Sequence, residues 1–380
     1  MPDAVRLIEN AELVLPDRVI RGWVALEDGQ IAALGEGQAP GRGLDLRGDH
    51  LIPGLVELHT DHLESHYAPR PDVRWHPLGA VLAYDAQIAA SGITTVFDSL
   101  RAGADIDGGG LAGELVTLAE AIDTARQGAL LRVEHLTHLR CELPAPDVAA
   151  TAEAFCARFP VQLMSLMDHT PGQRQFLNLA TYFTYARRSG KSAEEVRALA
   201  ARRMAEGGAC AAESRPVLAA LARRHGIPLA SHDDTTPEDV AQSAVEGARL
   251  AEFPTTAEAA RSCRAHGLAV MMGAPNLIRG GSHSGNVAAE ALAHEGLLSI
   301  LSSDYVPGSL LIAAFCLPQR VPDITLPWAI ATVTANPARA TGLCDRGEIA
   351  PGQRADLVRV QLAGKMPVVR QVWRGGVRAA

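Results

Sequence analysis

Through the middle of the chain, short apolar runs alternate with longer stretches in which apolar residues recur every three or four positions. The runs LIPGLVELHTDH, GITTVFDSL, LLRVEHLTHLRCE, VQLMSLMDHT, GIPLASHDD, RLAEFPTT, GLAVMMGAPN and LLSILSSDY are apolar before they turn polar. Such short runs predict strands buried on both faces, as in a parallel sheet. Between them, GELVTLAEAIDTARQ, RPVLAALARRH and TAEAARSCRAH carry the spacing of amphipathic helices. About eight strand–helix units over roughly 290 residues predict an α/β fold, a (β/α)8 TIM-like barrel. A doubly wound sheet is the competitor. Its first strand would usually lead into a glycine-rich phosphate turn, where this chain has His59-Thr60-Asp61-His62.

The two ends read differently. VRLIENAELVLPD and WVALEDGQIAALGEG alternate with period two and are broken by turn residues, and so do RADLVRVQL and VVRQVWRGGVRAA. The N- and C-terminal segments are expected to pair into one small β-sandwich domain, residues 1–52 with 336–380. Residues 53–335 are expected to form the barrel.

Composition narrows the function. Of 380 residues, 47% are hydrophobic and 21% charged, the profile of a globular protein. The formal net charge of −8 argues against nucleic acid and anionic membranes as partners. An anionic ligand would need a local cluster of positive charge. The cysteines are scattered without a CxxC pair, which suits free thiols in a reducing compartment. No signal-peptide pattern opens the chain, and no apolar run approaches the ~20 residues that span a bilayer. A cytoplasmic enzyme acting on a small molecule is expected.

In a (β/α)8 barrel the chemistry sits at the C-terminal ends of the strands. Here the runs end in His59/Asp61, Asp98, His138/Glu142, Asp168/His169, His232/Asp233, Glu252, Asn276 and Asp304. Nearly every one is a metal ligand or acid–base group. Residues i and i+2 of an extended strand point to one side, so His59 and Asp61 can share a cation.

LIPGLVELHTDH resembles the first-strand signature of the amidohydrolase superfamily, with Asp61 where the commoner form has a second histidine. NPARATGLCDRGEIAPGQRADLVRV resembles that superfamily's C-terminal return to the β domain. HTDHLESHYAPRPDVRW, HLRCELP, SLMDHTPGQRQF, LASHDD, AEFPTT, MGAPNLIRGGSHSGN and LSSDYVP resemble one branch, the PhnM-type diphosphatases of the carbon–phosphorus lyase pathway. The resemblance spans effectively the whole chain. It implies a hydrolase of phosphonate catabolism, cleaving α-D-ribose 1-methylphosphonate 5-triphosphate to the 5-phosphate and pyrophosphate. It also implies two divalent ions (Zn²⁺, Mn²⁺ or Fe²⁺) held by His59, Asp61, Glu142, His169, His232 and Asp304. In the superfamily this last aspartate also takes the proton of the attacking water.

Many binuclear hydrolases bridge their metals with a modified lysine. This chain has only Lys191 and Lys365, and Lys191 lies in the polar stretch RRSGKSAEE. Glu142 is therefore the bridging candidate, with Glu134 and His138 as rivals on the same strand, and Glu252 is a weaker ligand candidate. For phosphate, Arg279, Gly281, Ser282, His283 and Asn286 of NLIRGGSHSGN offer donors, joined by Arg140 and Arg174. His62, Glu64 and His66 are read either as touching substrate or supporting the ligands, or equally as solvated loop residues. The rival readings are a cyclic amidase or deaminase, which needs no arginine cluster, and a non-catalytic partner, which would have lost its ligands. Homo-oligomerisation and association with other phosphonate-pathway proteins are compatible with the sequence.

Overall fold

A computed structural model describes residues 5–70, 72–103, 112–172, 174, 192–282 and 285–380. Its described strands are β1 (Leu7–Val14), β2 (Val19–Glu27), β3 (Gln30–Glu36), β4 (Leu44–Asp45), β5 (His50–Pro53), β6 (Leu55–Thr60), β7 (Ile93–Ala102), β8 (Glu134–Glu142), β9 (Leu163–Met167), β10 (Leu229–His232), β11 (Ala248–Glu252), β12 (Ala269–Gly273), β13 (Ile300–Ser302), β14 (Leu357–Ala363), β15 (Met366–Arg374) and β16 (Val377–Arg378).

The eight apolar runs are β6 to β13, and they pair in parallel in sequence order. The edges β6 and β13 meet through one parallel bridge between Thr60 and Asp304. Elsewhere the seam is closed by other groups. Val56 N donates to Val333 O at 2.9 Å, and Leu301 N to Thr332 O at 3.0 Å. The Glu57 carboxylate, fully buried, accepts from His59 N (2.6 Å), Ser302 Oγ (2.8 Å) and Ser303 N (2.6 Å). The result is a closed (β/α)8-type barrel.

Inside it, Val56, Leu58, Phe97, Leu163, Ala230, Leu250, Met271 and Ile300 form one apolar core. Each fully buried side chain of this size contributes roughly 1.5–3 kcal/mol. Outside it, residues such as Ile88, Val96, Leu139 and Leu218 pack strands against helices. Helix starts are set locally: Thr236 and Asp239 form a reciprocal capping box for Pro237–Glu246, and Thr256 caps Ala257–Ala265.

The N- and C-terminal strands form the second sheet, in the order β16-β15-β14-β5-β1-β2-β3 with β4 beside β1. Its own core includes Ile8, Leu13, Val24, Leu51, Leu357 and Trp373. Ala338 of helix Ala335–Ala340 packs into the barrel's interior core.

Candidate metal centre and anion site

Strand alternation decides which side chains reach the barrel interior. In β7 and β8, four register pairs share that side: Thr95/Glu134, Phe97/Leu136, Ser99/His138 and Arg101/Arg140. The lowest pair lies at the N-terminal end, where Glu134 accepts from Arg346 Nη1 at 2.7 Å and is ion-paired with Arg354. Glu134 is thus at the wrong end of the strand to bridge metals, and that rival to Glu142 is corrected. In β10 and β11 the interior series steps from Ala230 to His232 and from Leu250 to Glu252, an apolar layer followed by a polar one.

His138 sits in the polar layer. Its Nδ1 is 2.9 Å from Leu58 O, its Nε2 is 2.9 Å from Ser165 Oγ, and burial holds its pKa down to about 3. The carbonyl accepts only, so Nδ1 carries the ring proton and Nε2 takes the serine's. Both ring nitrogens are occupied, and this rival for the bridge supports the floor of the site.

Above and beside it the ligand-type groups converge. Nitrogens of His59 and His232 and an oxygen of Glu252 lie within 4.8 Å of one another, as do donor atoms of His169, His232 and Asp233. His232 belongs to both groups. His59 Nδ1 is 3.2 Å from Glu252 Oε2. Burial, with Arg140 and His232 nearby, lowers the His59 pKa well below its usual value and keeps a lone pair for coordination. Burial likewise raises the pKa of Glu252. For His232, burial opposes the charge but Asp233 outweighs it and raises the pKa.

Among the described residues, His59 Nδ1 and both Glu252 oxygens are buried without a well-formed hydrogen bond, and His232 Nδ1 faces only Asp233 Oδ2, at 2.9 Å. Leaving such groups unsatisfied is costly, and nitrogen and oxygen donors of this kind fit a divalent cation.

The backbone around these groups is bent sharply. Asp233, Phe253 and Asp304, each just beyond an interior strand, have φ of 57°, 58° and 53°. The left-handed region costs a bulky residue such as Phe253 on the order of 1–3 kcal/mol. Its ring stands edge-on to His59 and His232, with centroids 5.0 and 5.5 Å away. Strain is thus stored where the chain places an apolar wall against two imidazoles.

The remaining expected ligands ring this centre, but none joins the two three-residue groups. Glu142 Oε2 is 2.7 Å from His169 Nδ1, and its Oε1 accepts from His169 N at 3.3 Å. Burial alone would raise the Glu142 carboxyl, but His169 outweighs it and holds its pKa near 2. Asp61 precedes helix His62–Tyr67 without using its side chain as a cap, and its Oδ2 is 3.7 Å from Arg140 Nη1. Burial, followed by the charge of Asp61, pushes the Asp304 carboxyl up to about 7.

Two groups that sequence reasoning undervalued are therefore central, Glu252 and Asp233. The signal available for Asp233 was the doubled acid in SHDD. Asp98 is on the outer side of β7, 3.0 and 3.1 Å from His135 Nδ1. Asp168 accepts from Thr170 N at 3.0 Å and shapes its turn.

The arginines differ. Arg140 is buried, its Nε lies 3.2 Å from Met167 Sδ, and its Nη1 has no hydrogen-bond partner among the described residues. Arg174 is ion-paired with Asp234 and donates to His232 O at 3.3 Å. Arg279 is exposed at the last turn of helix Ala274–Arg279. The Gly281 amide donates to Asn276 O at 2.9 Å and finishes that helix. Ser282 and Asn286 are half-buried, while His283 and Ser284 lie outside the described residues. His62 and His66 both place Nε2 against Gln87 Oε1, at 3.0 and 2.8 Å.

The chain is similar to several known proteins. Residues 86–379 match the model of the Amidohydrolase family. The α-D-ribose 1-methylphosphonate 5-triphosphate diphosphatase of Escherichia coli (strain K12) is 46% identical over 388 residues, covering 98% of this chain and 99% of that protein. Imidazolonepropionase of Deinococcus deserti is 31% identical over 44% of this chain and 45% of its own. Among solved structures, 5-methylcytosine deaminase from Klebsiella pneumoniae shares the fold at TM-score 0.65 and 16% identity, covering 98% of this chain and 97% of that one. N-acetyl-D-glucosamine-6-phosphate deacetylase from Mycobacterium smegmatis does so at 0.65 and 16%, covering 98% and 99%. With its closed barrel, its second sheet and its convergent donors, the chain is a hydrolase belonging to the amidohydrolase family.

Proposed function

We propose that the enzyme hydrolyses α-D-ribose 1-methylphosphonate 5-triphosphate to the 5-phosphate and pyrophosphate in phosphonate catabolism. The observation that carries this reading is the buried Arg140, whose Nη1 makes no hydrogen bond among the described residues, lies 3.7 Å from Asp61 Oδ2 and acts on His59. A neutral cyclic amide offers that guanidinium no negative group, whereas a phosphoryl group accepts hydrogen bonds from it. The near-full-length similarity to the Escherichia coli diphosphatase supports the choice of substrate.

On this reading His59, Asp61, Glu142, His169, His232 and Asp304 would hold two divalent ions, and Glu252, 3.2 Å from His59 Nδ1, would join them. When bound, such ions act as Lewis acids toward the phosphoryl oxygens and acidify a water. Asp304 takes the proton of the attacking water, and the link between the first and second phosphates breaks. Arg140 meets the charge that develops on the phosphoryl oxygens. The Phe253 ring walls the imidazoles from solvent. The enzyme works in the cytoplasm on a small phosphorylated sugar.

The test is pyrophosphate release from this substrate by metal-loaded wild type and Asp304→Asn. Release by the wild type, lowered ~10²-fold or more in the variant, is the expected outcome. No release from folded, metal-loaded wild type, with turnover of a cyclic amide instead, would replace this reading by the amidase.

A further inference from the structure

The run SHDD carries two adjacent acids, Asp233 and Asp234, and the chain sends them in opposite directions. His232 faces the barrel interior, and in an extended strand the next residue faces out. Asp233 departs from that rule because its φ of 57° lies in the left-handed region, which turns its carboxylate back beside the ring of its neighbour. Two bonds hold the turn. Asp233 N donates to Glu252 O at 2.8 Å, and Asp233 O accepts from Thr235 Oγ1 at 3.1 Å. Asp234 resumes the outward side, where it accepts from Ser231 Oγ at 2.5 Å and from Ser243 Oγ at 3.3 Å.

The returned carboxylate is buried and faces two imidazoles. Its Oδ2 is 2.9 Å from His232 Nδ1 and 4.0 Å from His169 Nε2. The closer contact is not aligned as a hydrogen bond, and neither of its two atoms makes one among the described residues. The buried pair of Asp98 and His135 behaves differently: there one ring nitrogen bonds both carboxylate oxygens, at 3.0 and 3.1 Å, as a plain ion pair does. His169 is set from behind by Glu142 Oε2, 2.7 Å from its Nδ1. A carboxylate only accepts, so Nδ1 carries the ring proton and the lone pair of Nε2 lies on the side of Asp233. Ligands bonded at about 2.0–2.2 Å to a tetrahedral ion stand about 3.4 Å apart. The separations of 2.9 and 4.0 Å straddle that value.

We infer that Asp233 is itself a ligand of one divalent ion, together with His169 and His232. The inference rests on the metal-dependent diphosphatase reading and deepens it by a residue outside the set named there.

The experiment uses full-length wild type, Asp233→Asn and Asp233→Gly, each reconstituted with Zn²⁺ or Mn²⁺ and matched for melting temperature. Both substitutes tolerate the left-handed backbone, so the turn is kept while the carboxylate is removed. Metal content after dialysis and chelator-competition titration are read beside pyrophosphate release. Each variant retains one ion fewer than wild type, or binds that ion ~100-fold or more weakly, while any other ion is held as in wild type. Wild-type metal content and affinity in both folded variants overturn the inference, and the diphosphatase reading stands if wild type releases pyrophosphate. Equal weakening of every bound ion also overturns it, because Asp233 then acts through the histidines rather than on one cation. Loss of one ion from the variants, with no pyrophosphate released by loaded wild type, keeps the ligand and removes the reaction assignment. A folded wild type that binds neither Zn²⁺ nor Mn²⁺ overturns both.

Discussion

Ser303, just past the last barrel strand, donates its backbone N–H to Oε2 of Glu57 on the first, at 2.6 Å. The same carboxylate takes His59 N and Ser302 Oγ through Oε1. One buried side chain therefore spaces His59 from Asp304 across the seam, although it touches neither reacting group. Burial raises its pKa to about 7, against the pull of three donors. Glu57→Gln turns an amide N–H toward a backbone N–H. We expect a stability loss of roughly 1–3 kcal/mol and a fall in kcat larger than any change in KM. Denaturant melts and steady-state kinetics check both, and wild-type kcat in the variant would contradict the spacing role.

His135 gives a pH signature. Burial disfavours its charge, but Asp98 and then Asp85 outweigh this and raise its pKa to about 9. A folded pKa above the usual 6.5 means that the stabilisation is complete below about pH 6.5 and is lost as the pH rises through about 9. Wild type should lose stability across that window, and His135→Gln should be less stable with a flatter profile there. Identical slopes of stability against pH in the two proteins would count against a charged His135.

Glu252 tests the metal centre. Glu252→Gln keeps the shape and removes the charge between His59 and His138, so metal retained after dialysis should drop well below that of wild type. His138→Gln, a change in the floor, should lower retention less. Metal analysis of both variants decides the order, and full retention in Glu252→Gln would remove Glu252 from the ligand set.

Arg174 should behave unlike Arg140. Its guanidinium is ion-paired with the buried Asp234. Arg174→Met strands that carboxylate and should cost about 3–5 kcal/mol of stability. Arg140→Met should instead raise KM for the phosphorylated substrate with a smaller stability cost. Paired melts and kinetics separate the two, and a raised KM at unchanged stability for Arg174→Met would restore it as a phosphate ligand.

The eight runs and their order were legible because each strand is apolar on both faces, and the terminal segments because they alternate. The phase of the buried strands was not. When both faces are apolar, nothing in the sequence marks which parity points inward, so Asp98, on the outer side, and Glu134, at the wrong end, looked equivalent to Glu142 and His232. Hydrogen-bond partners brought in from distant segments were equally invisible. The Gly281 amide ends a helix, and Arg174 meets Asp234 sixty positions later. Glu252 read as a weak candidate because a lone glutamate after an apolar run is common, and only the convergence of β6, β8, β10 and β11 gives it meaning.

The way Arg346 and Arg354 reach back to Glu134 and Thr95 sets an order of events for the growing polypeptide. β5 pairs with β14, so the sheet that holds β1 to β5 cannot be completed until residues beyond 357 have left the ribosome. Until then Glu134 at the barrel floor lacks its two cations. The earliest strands must wait for the latest ones, and a nascent chain stalled before residue 346 would hold a barrel open at its base.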